Sequence, residues 1–91
     1  MNTSVNHSPE QHQFSIQLPE GECLLNYRDN GNNTLDYYRT FVPPALRNRG
    51  LAAELVKAGL AYAKANHYTV VPSCPYVRAY IDKHPDAILK T

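Results

Sequence analysis

The stretch TLDYYRTFVPPALRNRGLAAELVKAGLAYAKANHYTVV, residues 34–71, decides the fold. Its first segment, 34–42, is rich in β-branched and aromatic residues, which favours a strand. Over 48–65, apolar side chains recur every three or four residues, which predicts an amphipathic helix. A second β-rich segment, 68–72, follows that helix directly. A strand, a helix and a strand in this order predict a right-handed crossover that leaves the two strands parallel.

Strict alternation along the first of these strands assigns its side chains to two faces. It puts Leu35, Tyr37, Arg39 and Phe41 together on one face. The strand is expected to end at Pro43-Pro44, because proline has no N–H to donate to a neighbouring strand.

The helix also carries its own boundary signals. Asn48 is the predicted N-cap, and Asn66-His67 is expected to end the helix in a left-handed conformation. Gly59 lies in the helix interior, where glycine is unfavourable, so we expect it to mark close packing against a neighbour.

The segment before residue 34 predicts two antiparallel hairpins. Residues 13–18 alternate as a half-buried strand, Pro19-Glu20-Gly21 turns the chain, and 22–28 returns. The second turn is DNGNN, residues 29–33, whose residue types all tolerate positive φ. Near the C-terminus, Pro75 to Lys83 reads as a short helix. The predicted fold is therefore α+β, a mixed sheet in the order β-β-β-α-β-α.

Length and charge limit the kinds of function to consider. The chain has 91 residues and a mass of 10.3 kDa, the size of one domain. Residues 1–12 are polar and aperiodic, so we expect a flexible tail there and a single domain over 13–91. A net charge of +1 gives no field that would attract nucleic acid or an anionic membrane. No leader-like or membrane-spanning run is evident, which indicates a cytoplasmic protein.

Neither cysteines nor histidines form a recognisable metal site. Cys23 and Cys74 are the two cysteines, and we expect both to be free thiols, with Cys23 a small buried side chain. No Cys-x-x-Cys or zinc-type spacing exists, and His7 and His12 are expected to decorate the surface.

We expect the functional site to lie where the predicted parallel strands end and the long helix begins. There Arg47 and Arg49 stand directly before Gly50 and the helix. Free N–H groups and the positive end of the helix dipole favour a bound phosphate, and guanidinium groups would reinforce it. The alternative is that both arginines are solvated, although cations at a helix N-terminus are unfavourable. No P-loop or Gly-x-Gly-x-x-Gly motif is present.

Two sequence blocks carry a family resemblance. Arg47-Asn48-Arg49-Gly50-Leu51-Ala52 resembles the Arg/Gln-x-x-Gly-x-Gly/Ala signature of the GNAT superfamily of N-acetyltransferases. The second block runs from Val70 to Ile81, VVPSCPYVRAYI, and is followed by His84-Pro85. Together with Thr40-Phe41-Val42-Pro43, it resembles the minimal GNAT proteins with a YjdJ-type acetyltransferase domain, over about residues 14–88.

The resemblance implies a cofactor and roles for particular residues. Backbone amides of the residues from Arg47 to Ala52 (Arg47, Asn48, Arg49, Gly50, Leu51 and Ala52) would contact the phosphates of acetyl-coenzyme A. Main-chain groups of Phe41 and Val42 would meet its pantetheine arm. Asn48 stands where relatives often have glycine. No metal is implied.

Cys74 is the candidate catalytic residue. The resemblance places it beside the thioester, and in this small branch a cysteine there is a proposed active-site residue. The thiol precedes Pro75 and faces a predicted helix N-terminus, a setting that lowers a thiol pKa. The alternative is a buried structural residue. Tyr76, Tyr80 and His84 are candidates for the general acid and base by position, and each is equally suited to packing or capping.

Three functions follow for testing. The first is an acetyl-CoA-dependent N-acetyltransferase that acts on a primary amine of unknown identity. The second is a module that binds coenzyme A or an acyl-CoA without turnover. The third is an interaction domain whose arginines bind a partner's carboxylates. In this branch the first strand and helices that usually hold the acceptor are absent, so we expect an open acceptor side.

Overall fold

The computed structural model describes residues 4–87. Residues 1–3 of the predicted tail and 88–91 of the predicted domain lie outside that range. The elements are the strands β1 to β5, the helices α1 and α2, and two short 3₁₀ helices. Their bounds in chain order are β1 Asn6–Ser8, β2 Gln13–Leu18, β3 Gly21–Gly31, β4 Thr34–Phe41, the first 3₁₀ helix Pro44–Leu46, α1 Leu51–Ala65, β5 Thr69–Val71, α2 Pro75–Lys83 and the second 3₁₀ helix Pro85–Ala87.

One mixed sheet organises the molecule. Its strands lie in the order β1-β2-β3-β4-β5, and all neighbours are antiparallel except β4 and β5. The parallel pair is joined through α1, so the predicted crossover and the α+β fold class are confirmed. Neither α1 nor α2 has the length and apolar character that crossing a bilayer requires.

The N-terminal segment differs from the prediction. Instead of lying in a flexible tail over 1–12, Asn6–Ser8 forms β1 and pairs with β2. His7 is not surface decoration, because its ring stacks on Phe14 with centroids 4.1 Å apart. Its Nε2 lies 2.6 Å from the Tyr27 hydroxyl. A three-residue strand with one inward side chain is too short to show periodicity, which explains the error.

Two predicted turns are confirmed by their backbone conformation. Asn32 and Asn33 have φ of 53° and 56°, as the two central residues of a two-residue type I′ hairpin need. At the end of α1, His67 has φ of 62°. The Tyr68 N–H then donates to the Ala63 carbonyl at 2.8 Å, which satisfies a carbonyl of the last helical turn.

The core lies between the sheet and the two helices. α1 crosses the sheet closely at Gly59, where a Cβ would lie 2.8 Å from Leu25 Cδ2, so the predicted close packing is confirmed. The Tyr37 hydroxyl donates to the Gly59 carbonyl at 2.6 Å. Val77 brings α2 into the same core. Both helices therefore pack on one face of the sheet.

A β-bulge in β4 changes which side chains share a face. Asn26 pairs with Arg39 while Tyr27 pairs with Tyr37, so Tyr38 is left over. From Tyr38 onward the predicted alternation is wrong. Arg39 turns away from the helices and donates to Asn26 Oδ1 at 3.0 Å.

The sheet surface away from the helices is called the uncovered face below. Among the described residues, no helix packs against it. Its side chains around β4 include three exposed ones, Arg28, Arg39 and Phe41, with Phe41 38 % exposed. Val71 on β5 belongs to the same face and is 37 % exposed. Large apolar side chains on an open surface often indicate a contact site.

Candidate functional site

The N-terminus of α1 begins later than predicted. The N-cap is Gly50, with φ of 74°, and the N-cap assignment to Asn48 is wrong. Asn48 itself has φ of 67°, so it serves the loop and not the helix. The Glu54 N–H donates to the Gly50 carbonyl at 3.2 Å, and among residues 4–87 no side chain caps the helix. The first three helical N–H groups, at residues 51–53, therefore point outward without an intrahelical partner.

A cleft of about 420 Å³ opens at these N–H groups. Six of the eight lining residues are among the predicted cofactor-binding set. The lining residues are Val42, Leu46, Arg47, Asn48, Gly50, Leu51, Ala52 and Tyr76. Phe41 and Arg49, the other two predicted residues, do not line the cleft.

The two arginines before α1 have different partners. Arg47 lines the cleft, and its Nε donates to the Val42 carbonyl at 3.1 Å. Arg49 turns away and pairs with Glu20 of the β2–β3 turn at 3.4 Å, with both side chains more than 40 % exposed. Thus the Arg47 guanidinium lies beside the free N–H groups, whereas the charge of the Arg49 guanidinium is offset by the Glu20 carboxylate.

A smaller cleft of about 200 Å³ adjoins the first between α1 and α2. Its wall brings together the three predicted acid and base candidates, Tyr76, Tyr80 and His84. The Tyr80 and His84 rings are 4.5 Å apart, so those two also pack on one another. Tyr76 lines both clefts and is 41 % exposed.

Cys74 is held between β4 and the start of α2. It is the N-cap residue of α2 and 5 % exposed, and it does not line the larger cleft. Its N–H donates to the Tyr37 carbonyl at 2.9 Å. Its sulfur lies 3.6 Å from Thr40 Oγ1.

The surroundings of Cys74 favour its thiolate. Burial acts to raise the pKa of this thiol, but the Thr40 hydroxyl and the nearby backbone groups of Val77, Tyr76 and Thr40 outweigh it, so the pKa is lowered. By contrast, burial raises the pKa of the Cys23 thiol, which fits the predicted structural role.

The parallel strands separate beside Cys74. Asp36 and Val71 are the last paired residues of β4 and β5. β4 continues for five more residues to Phe41, while the chain after β5 turns into α2. The place where the strands part is called the junction below.

The family follows from comparison with known proteins. A family model described as GCN5-related N-acetyl-transferase matches residues 13–89. The chain belongs to the GCN5-related N-acetyltransferase family. Protein NATD1 of Xenopus tropicalis and of Mus musculus is 31 % identical over 83 residues, 89 % of this chain and 76 % of each relative. The Homo sapiens protein is 30 % identical, with 74 % of its length covered.

A solved structure supports the fold of this family. A GCN5-like protein of Staphylococcus aureus, determined by NMR, superimposes with a TM-score of 0.73 at 22 % identity. The match covers 94 % of this chain and 84 % of that one. The resemblance to a minimal GNAT domain is therefore confirmed.

Thr40 is the neighbour of Cys74 that sequence reasoning missed in this GNAT chain. Simple alternation put Thr40 on the face opposite Tyr37, and only the bulge at Tyr38 brings it to the cysteine. Among residues 4–87, no group of three or more metal-ligating side chains occurs.

Proposed function

We propose that this protein is an acetyl-CoA-dependent N-acetyltransferase that transfers an acetyl group to a primary amine. The observation that carries the proposal is the cleft at the N-terminus of α1, whose free N–H groups face outward beside Arg47. A GNAT family membership makes acetyl-CoA the expected co-substrate.

The cofactor's pyrophosphate fits this end of α1. Three unpartnered N–H groups and the positive end of the helix dipole stabilise negative charge. Arg47 adds a guanidinium at the wall of the cleft. Gly50 has a left-handed conformation at the N-cap, and among the described residues no side chain forms a cap hydrogen bond with the first helical amides.

Cys74 is proposed as the residue at the reaction centre. Its lowered thiol pKa and its place beside the junction suit a nucleophile. The thiolate would attack the thioester carbonyl, the carbon–sulfur bond to coenzyme A would break, and coenzyme A would leave as the thiol after taking a proton. The amine would then attack the acetyl-cysteine and regenerate the Cys74 thiol.

A module that binds coenzyme A without turnover is the competing function. Intact-mass spectrometry of the protein after mixing with acetyl-CoA, without an amine, separates the two. We expect a mass increase of one acetyl group at Cys74 together with release of one equivalent of coenzyme A thiol, and continued thiol release once an amine is added.

Variants at the two cysteines provide the control. In Cys74→Ala we expect the mass increase to vanish and thiol release to fall by about 100-fold or more, with coenzyme A binding retained. Cys23→Ala should keep both activities. Unchanged thiol release in Cys74→Ala would remove Cys74 from the mechanism, and retained binding without turnover in the wild type would establish the binding module.

A further inference from the structure

The smaller cleft between α1 and α2 has no role in the proposed function so far. Its volume of about 200 Å³ lies below the range of about 300–1,000 Å³ that is usual for a separate small-molecule site. It shares Tyr76 with the larger cleft, so one ligand can extend from one cleft into the other. We therefore interpret the smaller cleft as an extension that holds one group of a ligand bound in the larger cleft.

The wall of the smaller cleft carries positive charge and hydrogen-bond donors. Its lining residues are Ala53, Tyr76, Ala79, Tyr80, Lys83 and His84. The neighbouring carboxylates in the sequence, Glu54 and Asp82, do not line it. Lys83 is exposed, and in the described part of the chain it forms no ion pair and no side-chain hydrogen bond. Its charge is therefore available to an anionic group.

A phosphate monoester is the group that these donors suit best. It carries about −1.5 to −2 charges at pH 7 and three acceptor oxygens. The Lys83 ammonium group can bind such an anion as a point charge. Burial raises the pKa of the Tyr76 hydroxyl, so this group keeps its proton at neutral pH and can donate it in a hydrogen bond. An ammonium group in the same place would be repelled by Lys83.

The smaller cleft adjoins the free N–H groups of α1. Ala53 carries the last of the three unpartnered N–H groups at residues 51–53, and the same residue lines the smaller cleft. Two places that favour anions are therefore neighbours at the first turn of α1. A ligand that fills both has a diphosphate for the helix N-terminus and a separate phosphate close to it. A nucleotide phosphorylated at both the 5′ and the 3′ position of one ribose has this arrangement.

We propose that the smaller cleft binds a 3′-phosphate on the ribose of the cofactor through Lys83, with the Tyr76 and Tyr80 hydroxyls as further donors. The protein thereby selects 3′-phosphorylated nucleotide thioesters as acetyl donors. This inference rests on the proposed function and extends it to the choice of donor. A thioester of dephospho-CoA, of phosphopantetheine or of a carrier protein lacks this phosphate and makes no such contact.

Calorimetry on the full chain with coenzyme A and dephospho-CoA tests the selection. We expect the wild type to bind coenzyme A about tenfold more tightly, because only coenzyme A has the phosphate that pairs with the lysine. Lys83→Gln should weaken coenzyme A binding about tenfold and dephospho-CoA binding by less than about twofold, with the thermal midpoint unchanged. The matched control is Lys57→Gln, which removes an exposed lysine of α1 that lines neither cleft and should preserve the preference.

Two results of this titration would overturn the inference. Equal affinity of the wild type for both ligands would mean that the 3′-phosphate makes no contact. Equal loss of the preference in Lys57→Gln and Lys83→Gln would assign it to the general positive charge of the helices. In turnover, Lys83→Gln should raise the KM for acetyl-CoA about tenfold and leave kcat unchanged, because the phosphate contact is the same in the ground state and the transition state.

A probe without the thioester separates this inference from the proposed function. Adenosine 3′,5′-bisphosphate should shift the amide NMR signals of residues 79–84, adenosine 5′-monophosphate should shift them less, and Lys83→Gln should remove the difference. Shifts confined to other surfaces would overturn the inference. If the wild type binds neither coenzyme A nor dephospho-CoA, the proposed function fails, and the bisphosphate titration still decides the role of Lys83.

Discussion

The two ends of the sheet satisfy their polar groups to very different degrees. At the β1 end, His7, Phe14, Tyr27 and Tyr62 form an aromatic cluster in which rings stack or meet edge to face. The His7 Nε2 atom and the Tyr27 hydroxyl form a hydrogen bond. At the junction end, Asp36 Oδ1 has no hydrogen-bond donor among residues 4–87, and within the same range no side chain caps α1.

This difference separates stability from function within one small domain. The aromatic cluster resembles an ordinary core, because the Tyr27 hydroxyl is paired with the His7 ring and the rings are packed. The junction end departs from the rules of good packing in several places at once, and such departures concentrate at functional sites. We therefore propose that one end of the sheet stabilises the fold and that the other end binds ligands.

The largest contrast is expected between the two thiols. Because burial raises the pKa of Cys23 while Thr40 and nearby backbone groups lower that of Cys74, Cys74 should alkylate at least about tenfold faster at neutral pH. Iodoacetamide labelling followed by peptide mass spectrometry measures both rates. Thr40→Val should slow the alkylation of Cys74, because it removes the hydroxyl that lowers the pKa of this thiol. Faster labelling of Cys23 would contradict the proposed environments.

The two arginines before α1 are expected to contribute differently to coenzyme A binding at the junction end. Arg47→Gln should weaken coenzyme A binding about tenfold, because a charged hydrogen-bond donor at the cleft wall is lost. Arg49→Gln should weaken it by less than about threefold, since that guanidinium is exposed and paired with Glu20. Calorimetry provides both dissociation constants. Equal losses would mean that Arg49 leaves Glu20 when the ligand binds.

Two glycines of the same helix test packing against backbone conformation. Gly59→Ala should lower the free energy of unfolding by about 1 kcal/mol, since the new Cβ crowds Leu25 despite better helix propensity. Gly50→Ala should lower the free energy of unfolding by a similar ~1 kcal/mol because of the positive φ at this residue. No atom lies within 4 Å of the added Cβ, so crowding does not contribute. Urea denaturation measures both. Gly50→Asn should be more stable than Gly50→Ala, because asparagine tolerates a positive φ. Gly59→Asn should be no more stable than Gly59→Ala. The reverse pattern would contradict the distinction between the two glycines.

The smallest effect is expected from pH at the aromatic cluster. Burial, and secondarily the charge of His12, lowers the pKa of His7 below its usual 6.5. The unfolded chain therefore binds more protons just below pH 6.5, so stability is full above that pH and falls as His7 is forced to protonate. Unfolding free energies between pH 5 and 8 should show this slope, and His7→Phe should flatten it. An unchanged slope in His7→Phe would assign the effect to another group.

Regular periodicity made much of the fold predictable. α2 begins and ends where Pro75 and His84 indicate, and His67 ends α1 as its residue type suggests. β1 escaped notice because three polar residues have no period. The N-cap fell on Gly50 because Asn48 was needed for a loop with positive φ.

The candidate site was predictable only in part, because tertiary context decides the rest. The motif around Gly50 pointed to residues that do line one cleft. The sequence does not show that Glu20, 29 positions away, binds Arg49. The bulge at Tyr38 likewise brings Thr40 to Cys74, and simple alternation cannot reveal it. Nor does the sequence show that the buried Oδ1 of Asp36 has no hydrogen-bond partner among residues 4–87.

Amide chemical-shift mapping with acetyl-CoA tests the central claim most directly. The backbone N–H signals of residues 50–53 and those near Cys74 should move on titration, while signals of the aromatic cluster at β1 should stay in place. Changes concentrated on the aromatic cluster, or no changes at millimolar acetyl-CoA, would contradict the assignment of ligand binding to the junction end.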